Sequence, residues 1–159
     1  MVTFSKKKED VLALIELLGQ TYELEYSLIV DYPRLAHMIK DENTRELTIS
    51  LGTASIKHAD AVAEACDRLG ATPISHCENI PEGADLIELF IGQLAKEHLA
   101  LKLHRNCAEL AQDENLKLES LRMANEEMIH IRTAEKIVFN LNQGADKLEL
   151  SLPSVATYR

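Results

Sequence analysis

Apolar residues recur at three- and four-residue steps in four separate stretches of the chain. Across about 8–40 the series is Leu14, Leu18, Tyr22, Glu25, Ile29, Tyr32, Ala36 and Ile39. A shift of 72 residues turns it into Leu86, Phe90, Leu94, Glu97, Leu101, His104, Ala108 and Ala111, within about 84–112. Two further runs, about 44–69 and 115–142, carry Leu51, Ser55, His58, Val62 and Leu69, then Met123, Glu127, His130, Ala134 and Leu141. This spacing marks the inward stripe of an amphipathic helix, so four long helices are predicted.

The same shift superimposes whole words. "LIEL" at 14–17 falls on "LIEL" at 86–89, "DEN" at 41–43 on "DEN" at 113–115, and His58 on His130. The chain therefore reads as a duplicated helical hairpin. A short polar turn between two helices makes each hairpin antiparallel. The stretch "GATPISHCENIPEG" (70–83) has two prolines and two glycines and is long enough to cross from one hairpin to the other. The expected fold class is all-α: a four-helix bundle over about 8–142, in one domain spanning 1–159. Pro33 removes a backbone donor inside the first helix, so a kink or break is expected near it. The tail 145–159 shows no helical period, and its alternating "LELSL" favours an extended arm over a loose end.

Composition narrows the partners. The net charge of −9 argues against nucleic acid and against an anionic membrane surface. No segment approaches the roughly 20 apolar residues of a membrane span, and Asp10 and Glu16 interrupt the first apolar run. A cytoplasmic location is expected. Cys66, Cys77 and Cys107 are odd in number and widely spaced, which implies neither a disulfide framework nor a structural zinc site. Cys66 and Cys107 read as core thiols, and "SHCEN" reads as a loop where His76 and Cys77 could catch a stray metal.

The chemistry lies on the inward stripes. Glu25 is 16 residues before Asp41, and positions 55 and 58 are 14 and 17 residues after it. At 1.5 Å per residue, all three stand roughly 20–25 Å from the turn. The second hairpin repeats the count for Glu97, Glu127 and His130. Three glutamates and two histidines thus meet at one level inside the bundle. Burying that many ionisable groups costs several kcal/mol per unpaired charge. A metal cation would neutralise them, and carboxylates mixed with imidazoles suit iron or manganese.

A Glu on one helix and a Glu-x-x-His on the next, done twice, resembles the ferritin-like carboxylate-bridged dimetal family, which includes rubrerythrins and bacterioferritins. The resemblance covers about 8–142. "EEMIH" (126–130) matches its motif in full, "SIKHAD" lacks the first ligand, and "LGATP" is also similar. It implies Glu25 and Glu97 as terminal carboxylates, Glu127 as a bridging carboxylate, and His58 and His130 as nitrogen ligands. It would also place a second bridging Glu at 55, where this chain has Ser55. Ile56 stands where the bacterioferritin haem methionine would be, so no haem is expected. No rubredoxin-type cysteine module is present, so electrons would come from an external donor. His104 replaces the tyrosine that Tyr32 supplies in the first half. It lies about 10 Å along the axis from Glu97, too far for the same ion, and is expected, like Tyr32 and Ser55, to act on the ligands from outside.

Charge sharpens the role of Ser55. Three glutamates leave one positive charge on two divalent ions, so the site holds two ions with a hydroxide or oxo group, or one if Ser55 abolishes the second position. Of the two halves, Glu97, Glu127 and His130 are expected to bind better. The function expected is a di-iron or di-manganese oxidoreductase acting on peroxide or dioxygen, as a homodimer or larger homo-oligomer. Iron storage with ferroxidation is one alternative, and a degenerate structural protein is another.

Overall fold

The protein is described here by a computed structural model covering residues 2–76, 78–81 and 83–150, with side chains described for 8–76, 78–81 and 83–144. Four helices make up the described chain: α1 (Val2–Met38), α2 (Glu42–Arg68), α3 (Leu86–Leu110) and α4 (Glu114–Leu150). The repeated word Asp-Glu-Asn begins the second helix of each hairpin. Asp41 Oδ2 accepts the Thr44 N–H at 2.8 Å, and Asp113 Oδ1 accepts the Leu116 N–H at 2.8 Å. Each aspartate thus satisfies a backbone donor that the first helical turn leaves free. Asp85 caps α3 in the same way through Ile87 and Glu88.

The end of α2 has a different chemistry. Gly70 adopts φ 73°, a left-handed conformation that favours glycine. The N–H groups of Gly70 and Ala71 then return to the carbonyls of Asp67 and Cys66, both at 2.9 Å, closing the helix in a Schellman arrangement. The crossover runs from there to Asp85 and lets α3 start at the same end of the bundle as α2. α1 and α3 are antiparallel, because Thr21 meets Cys107, Glu25 meets His104 and Tyr32 meets Glu97. α2 and α4 are antiparallel by the same test, with His58 on Glu126 and Thr44 on Asn140.

Two apolar clusters fill the bundle. One contains Leu14, Leu18, Val62, Ala65, Cys66, Cys107, Leu116 and Met123. The other contains Leu28, Tyr32, Leu35, Ile39, Leu51, Phe90, Ala134 and Ile137. The polar centre sits between them, so the apolar layers above and below seal it from solvent along the axis. Cys66 and Cys107 are buried free thiols, as expected, and burial pushes the Cys107 thiol up to about 11.

One expectation narrows and another changes. Of the kink or break expected near Pro33, the break does not occur, since α1 runs through it as one helix. Gly52 on α2 lies opposite: a Cβ there would stand 3.1 Å from Tyr32 Cβ and 3.4 Å from Pro33 Cδ. The bare glycine lets the two helices close up at the proline ring. The chain beyond Gly144 also stays helical, to Leu150. "ADKLEL" consists mostly of good helix formers, and that local preference prevails over the lack of an apolar period. The rest of the expected arm, 151–159, lies outside the described residues. No described helix is long and apolar enough to cross a membrane.

Candidate metal centre

Each helix delivers one part of the centre. α1 brings Glu25 and Tyr32, α2 brings Ser55 and His58, α3 brings Glu97 and His104, and α4 brings Glu127 and His130. Glu25, His58, Glu97, His104 and Glu127 have no measurable solvent exposure, and His130 keeps 7%. All five metal-ligand candidates, Glu25, His58, Glu97, Glu127 and His130, are thus buried.

The donor atoms form two groups that share Glu127. Glu25, His58, His104 and Glu127 make one group, and Glu97, Glu127 and His130 make the other; within each, the donor atoms lie within 4.8 Å of one another. His58 Nδ1 stands 2.6 Å from Glu127 Oε1 and 3.4 Å from Glu25 Oε1. His104 Nε2 is 2.9 Å from Glu25 Oε1 and 3.7 Å from Glu127 Oε1. His130 Nδ1 is 3.2 Å from Glu127 Oε2 and 3.6 Å from Glu97 Oε2. The rings of His104 and His130 flank that of His58, with centroids 5.4 and 5.2 Å from it.

His104 is the main departure from the sequence reading. Its distance from Glu97 along α3 does not decide its role, because that distance lies within one helix. The antiparallel packing of α1 on α3 sets His104 against Glu25 instead, inside the cluster. The donor balance reverses with it: the Glu25 group gathers four residues and the Glu97 group three. Tyr32, the repeat partner of His104, makes the mirror-image contact and donates its hydroxyl to the Glu97 carboxylate. Ser55 is fully buried, and its hydroxyl has no hydrogen-bond partner. Tyr22 and Tyr26 stack on each other, with centroids 6.2 Å apart.

Sequence reasoning missed Glu126. Its Oε2 lies 2.8 Å from His58 Nε2, and its Oε1 accepts from Arg122. With its side chain 37% exposed, it joins a sealed imidazole to the surface. Only the adjacent "EE" in the sequence hints at it, since a helix turns Glu126 about 100° away from the inward stripe of Glu127. His76, in the crossover, is exposed and bonds Glu23. Cys77, the other half of that suggested loop site, lies outside the described residues.

Protons balance the charges when no ion is bound. Burial lowers the affinity of His58 for its proton, but Glu127 and Glu25 outweigh this and lift the group to about 10. Burial acts the same way on His130, where Glu127 and Glu97 lift it to about 9. Glu25 is pushed up by burial, yet His104 and His58 hold it below the ordinary carboxylate range. Glu127 stays above that range, because burial dominates and the bonds from His130 and His58 only partly offset it. Burial and the neighbouring Glu97 keep the Tyr32 phenol neutral, so it is a donor throughout.

The donor set also fits metal. Glu25 Oε2 and Glu97 Oε2 are buried and make no hydrogen bond. Native interiors rarely leave such atoms unpartnered, and both belong to carboxylates of the two groups. Carboxylate oxygens and imidazole nitrogens on facing helices are the ligand types that bundle proteins aim at iron and manganese.

Solved structures resemble this arrangement over most of its length. A ferritin-like, diiron-carboxylate protein from Bacillus anthracis is 24% identical, with TM-score 0.71, over 81% of this chain and 97% of its own. The fold is ferritin-like. A Desulfovibrio desulfuricans bacterioferritin with a diiron site matches at TM-score 0.73 and 16% identity, over 96% of this chain and 98% of its own. A manganese catalase from Anabaena matches at TM-score 0.65 and 16% identity, over 94% and 77%. No protein-family model and no curated protein sequence matches the chain.

Proposed function

We propose that this ferritin-like protein is a dimetal oxidoreductase that holds iron or manganese and acts on peroxide or dioxygen. One observation supports it above the others: buried carboxylates and imidazoles from all four helices converge in two groups that share Glu127, with Glu25 Oε2 and Glu97 Oε2 left without hydrogen-bond partners. Glu25, His58, Glu97, Glu127 and His130 would hold the ions, with Glu127 shared between them. Two redox-active ions so placed would supply electrons to an O–O bond, and an external donor would return them, or a second peroxide molecule where peroxide is disproportionated.

The chain's own groups prepare that chemistry. Tyr32 fixes the Glu97 carboxylate by donating to it, and a phenol held neutral does not compete for metal. Glu126 holds the outer nitrogen of His58, which sets the ring's orientation and directs Nδ1 inward. The two apolar clusters exclude bulk water from the axis, and His130 provides the solvent-facing edge.

The test is peroxide and dioxygen consumption by protein loaded with manganese or with iron, set beside Glu127→Gln treated in the same way. Turnover that requires metal and is lost in the variant supports the reading. Iron uptake by a shell eluting at hundreds of kilodaltons would favour storage, whereas the oxidoreductase reading expects a homodimer or a similarly small homo-oligomer. Metal binding without any redox turnover would favour a degenerate site.

A further inference from the structure

The repeat that builds the bundle is kept at half of its central positions and broken at the other half. Glu25 matches Glu97 and His58 matches His130. Ser55, however, stands opposite Glu127, and His104 opposite Tyr32. Each departure has a consequence at the centre. A carboxylate at 55, mirroring Glu127, would have served both groups, and the buried serine hydroxyl there engages nothing. A tyrosine at 104, mirroring Tyr32, would have donated to Glu25 just as Tyr32 donates to Glu97. The imidazole at 104 instead directs Nε2 at Glu25 and Glu127, within the span of a single ion's donors.

Donor counting shows how the two changes combine. The group around Glu25 loses what position 55 would have supplied and regains a fourth donor from His104. The group around Glu97 loses the same carboxylate and gains nothing, since Tyr32 only donates a proton. It therefore ends with Glu97, Glu127 and His130, and His130 is the one member of the cluster with solvent exposure. Around a four-coordinate ion, four protein donors close the site, while three leave a position for water or substrate; around an ion of higher coordination number, the three-donor group is still the more open of the two.

We propose that His104 is a metal ligand and that the centre is an unlike pair: a closed, nitrogen-richer position formed by Glu25, His58, His104 and Glu127, and an open, oxygen-richer position formed by Glu97, Glu127 and His130. This rests on the dimetal reading above and assigns separate tasks to its two halves. The closed position fills first and holds its ion. The open position binds more weakly and accepts a small anion from solvent. Imidazole donors suit zinc, and carboxylate donors suit manganese, so the two positions also sort metals.

The experiment is a stepwise cobalt(II) titration of metal-free protein, followed by calorimetry and visible absorption. Two steps are expected, the second at least about tenfold weaker, with azide changing the spectrum only after the second equivalent. His104→Tyr restores the residue of the first repeat, and His104→Gln keeps a hydrogen-bonding group of similar size. Either should weaken the first step by about 10- to 100-fold or more, since outer partners of ligands alone are worth that much. His130→Gln should remove the second step and spare the first. Zinc and manganese supplied together should give about one of each per chain, with the manganese resonance of an isolated ion.

The proposal is overturned if a folded His104 variant titrates like the parent, if His130→Gln removes the first step, or if azide acts after one equivalent. Two equal steps insensitive to His104 would overturn it and leave the dimetal reading intact. No binding of cobalt in either step would sink both.

Discussion

Replacing Tyr32 with Phe removes one oxygen atom from the interior and nothing else. That oxygen carries the proton donated to Glu97. The other carboxylate oxygen, Oε2, already makes no hydrogen bond, so in the metal-free variant Glu97 would keep only Glu127 and, 3.6 Å from Oε2, His130 near it. A hydrogen bond to a charged group is worth about 1.5–3 kcal/mol, and a buried acceptor stripped of its donor loses most of that. The apolar ring stays in its cluster with Phe90, so no cavity contribution adds to the loss. For a chain of this size about 1 kcal/mol corresponds to about 2–4 °C in Tm, so metal-free Tyr32→Phe should melt about 3–12 °C lower. Bound metal would engage the same carboxylate, so the deficit should shrink after loading. The assay is a thermal melt of parent and variant, each metal-free and loaded. A metal-free variant within about 0.5 kcal/mol of the parent would refute the account of how Glu97 is held.

Other perturbations reach the centre from different sides. His58 and His130 are lifted to about 10 and about 9, so both carry protons at neutral pH and must release them to bind an ion. Metal affinity should therefore rise from pH 6 to pH 9, with proton release read by calorimetry in buffers of different ionisation heat; affinity independent of pH would contradict this. In metal-free protein the raised folded value of His58 lies above its unfolded value of 6.5. Its contribution is complete below that pH and is lost as pH rises through about 10, so metal-free protein should melt lower at pH 10 than at pH 7. Glu126→Ala frees the outer nitrogen of His58 and should cost about 10- to 100-fold in metal affinity, checked by competition with a chromophoric chelator. Gly52→Val forces a branched side chain against Tyr32 and Pro33 and should cost about 1–3 kcal/mol in a denaturant titration.

The frame of the molecule could be read from the sequence because helical periodicity and the repeat reinforce each other. Leu14, Leu18, Glu25, Tyr32, Ala36 and Ile39 were placed inward by a step of 3.6, and all are buried. The Asp-Glu-Asn words marked the turns because an aspartate at that point caps a helix whatever follows. What stayed hidden depends on the relation between helices. His104 looked remote when measured from Glu97 along α3, and only the antiparallel pairing with α1 brings it to Glu25. Glu126 sits off the inward face, and nothing in a single sequence tells a solvated carboxylate from one that holds a buried ring. The end of α4 is not legible in the pattern because residues 145–150 carry helix propensity without an apolar stripe.

Glu127 belongs to both donor groups, so metal stoichiometry measured with and without it bears most directly on the dimetal account. Elemental analysis of metal-free protein reloaded with manganese or iron and then freed of loose ions should find about two ions per chain. Glu127→Gln, treated identically, should retain almost none. A parent chain that takes up no metal after loading, or a Glu127→Gln chain that still holds two ions, would contradict it.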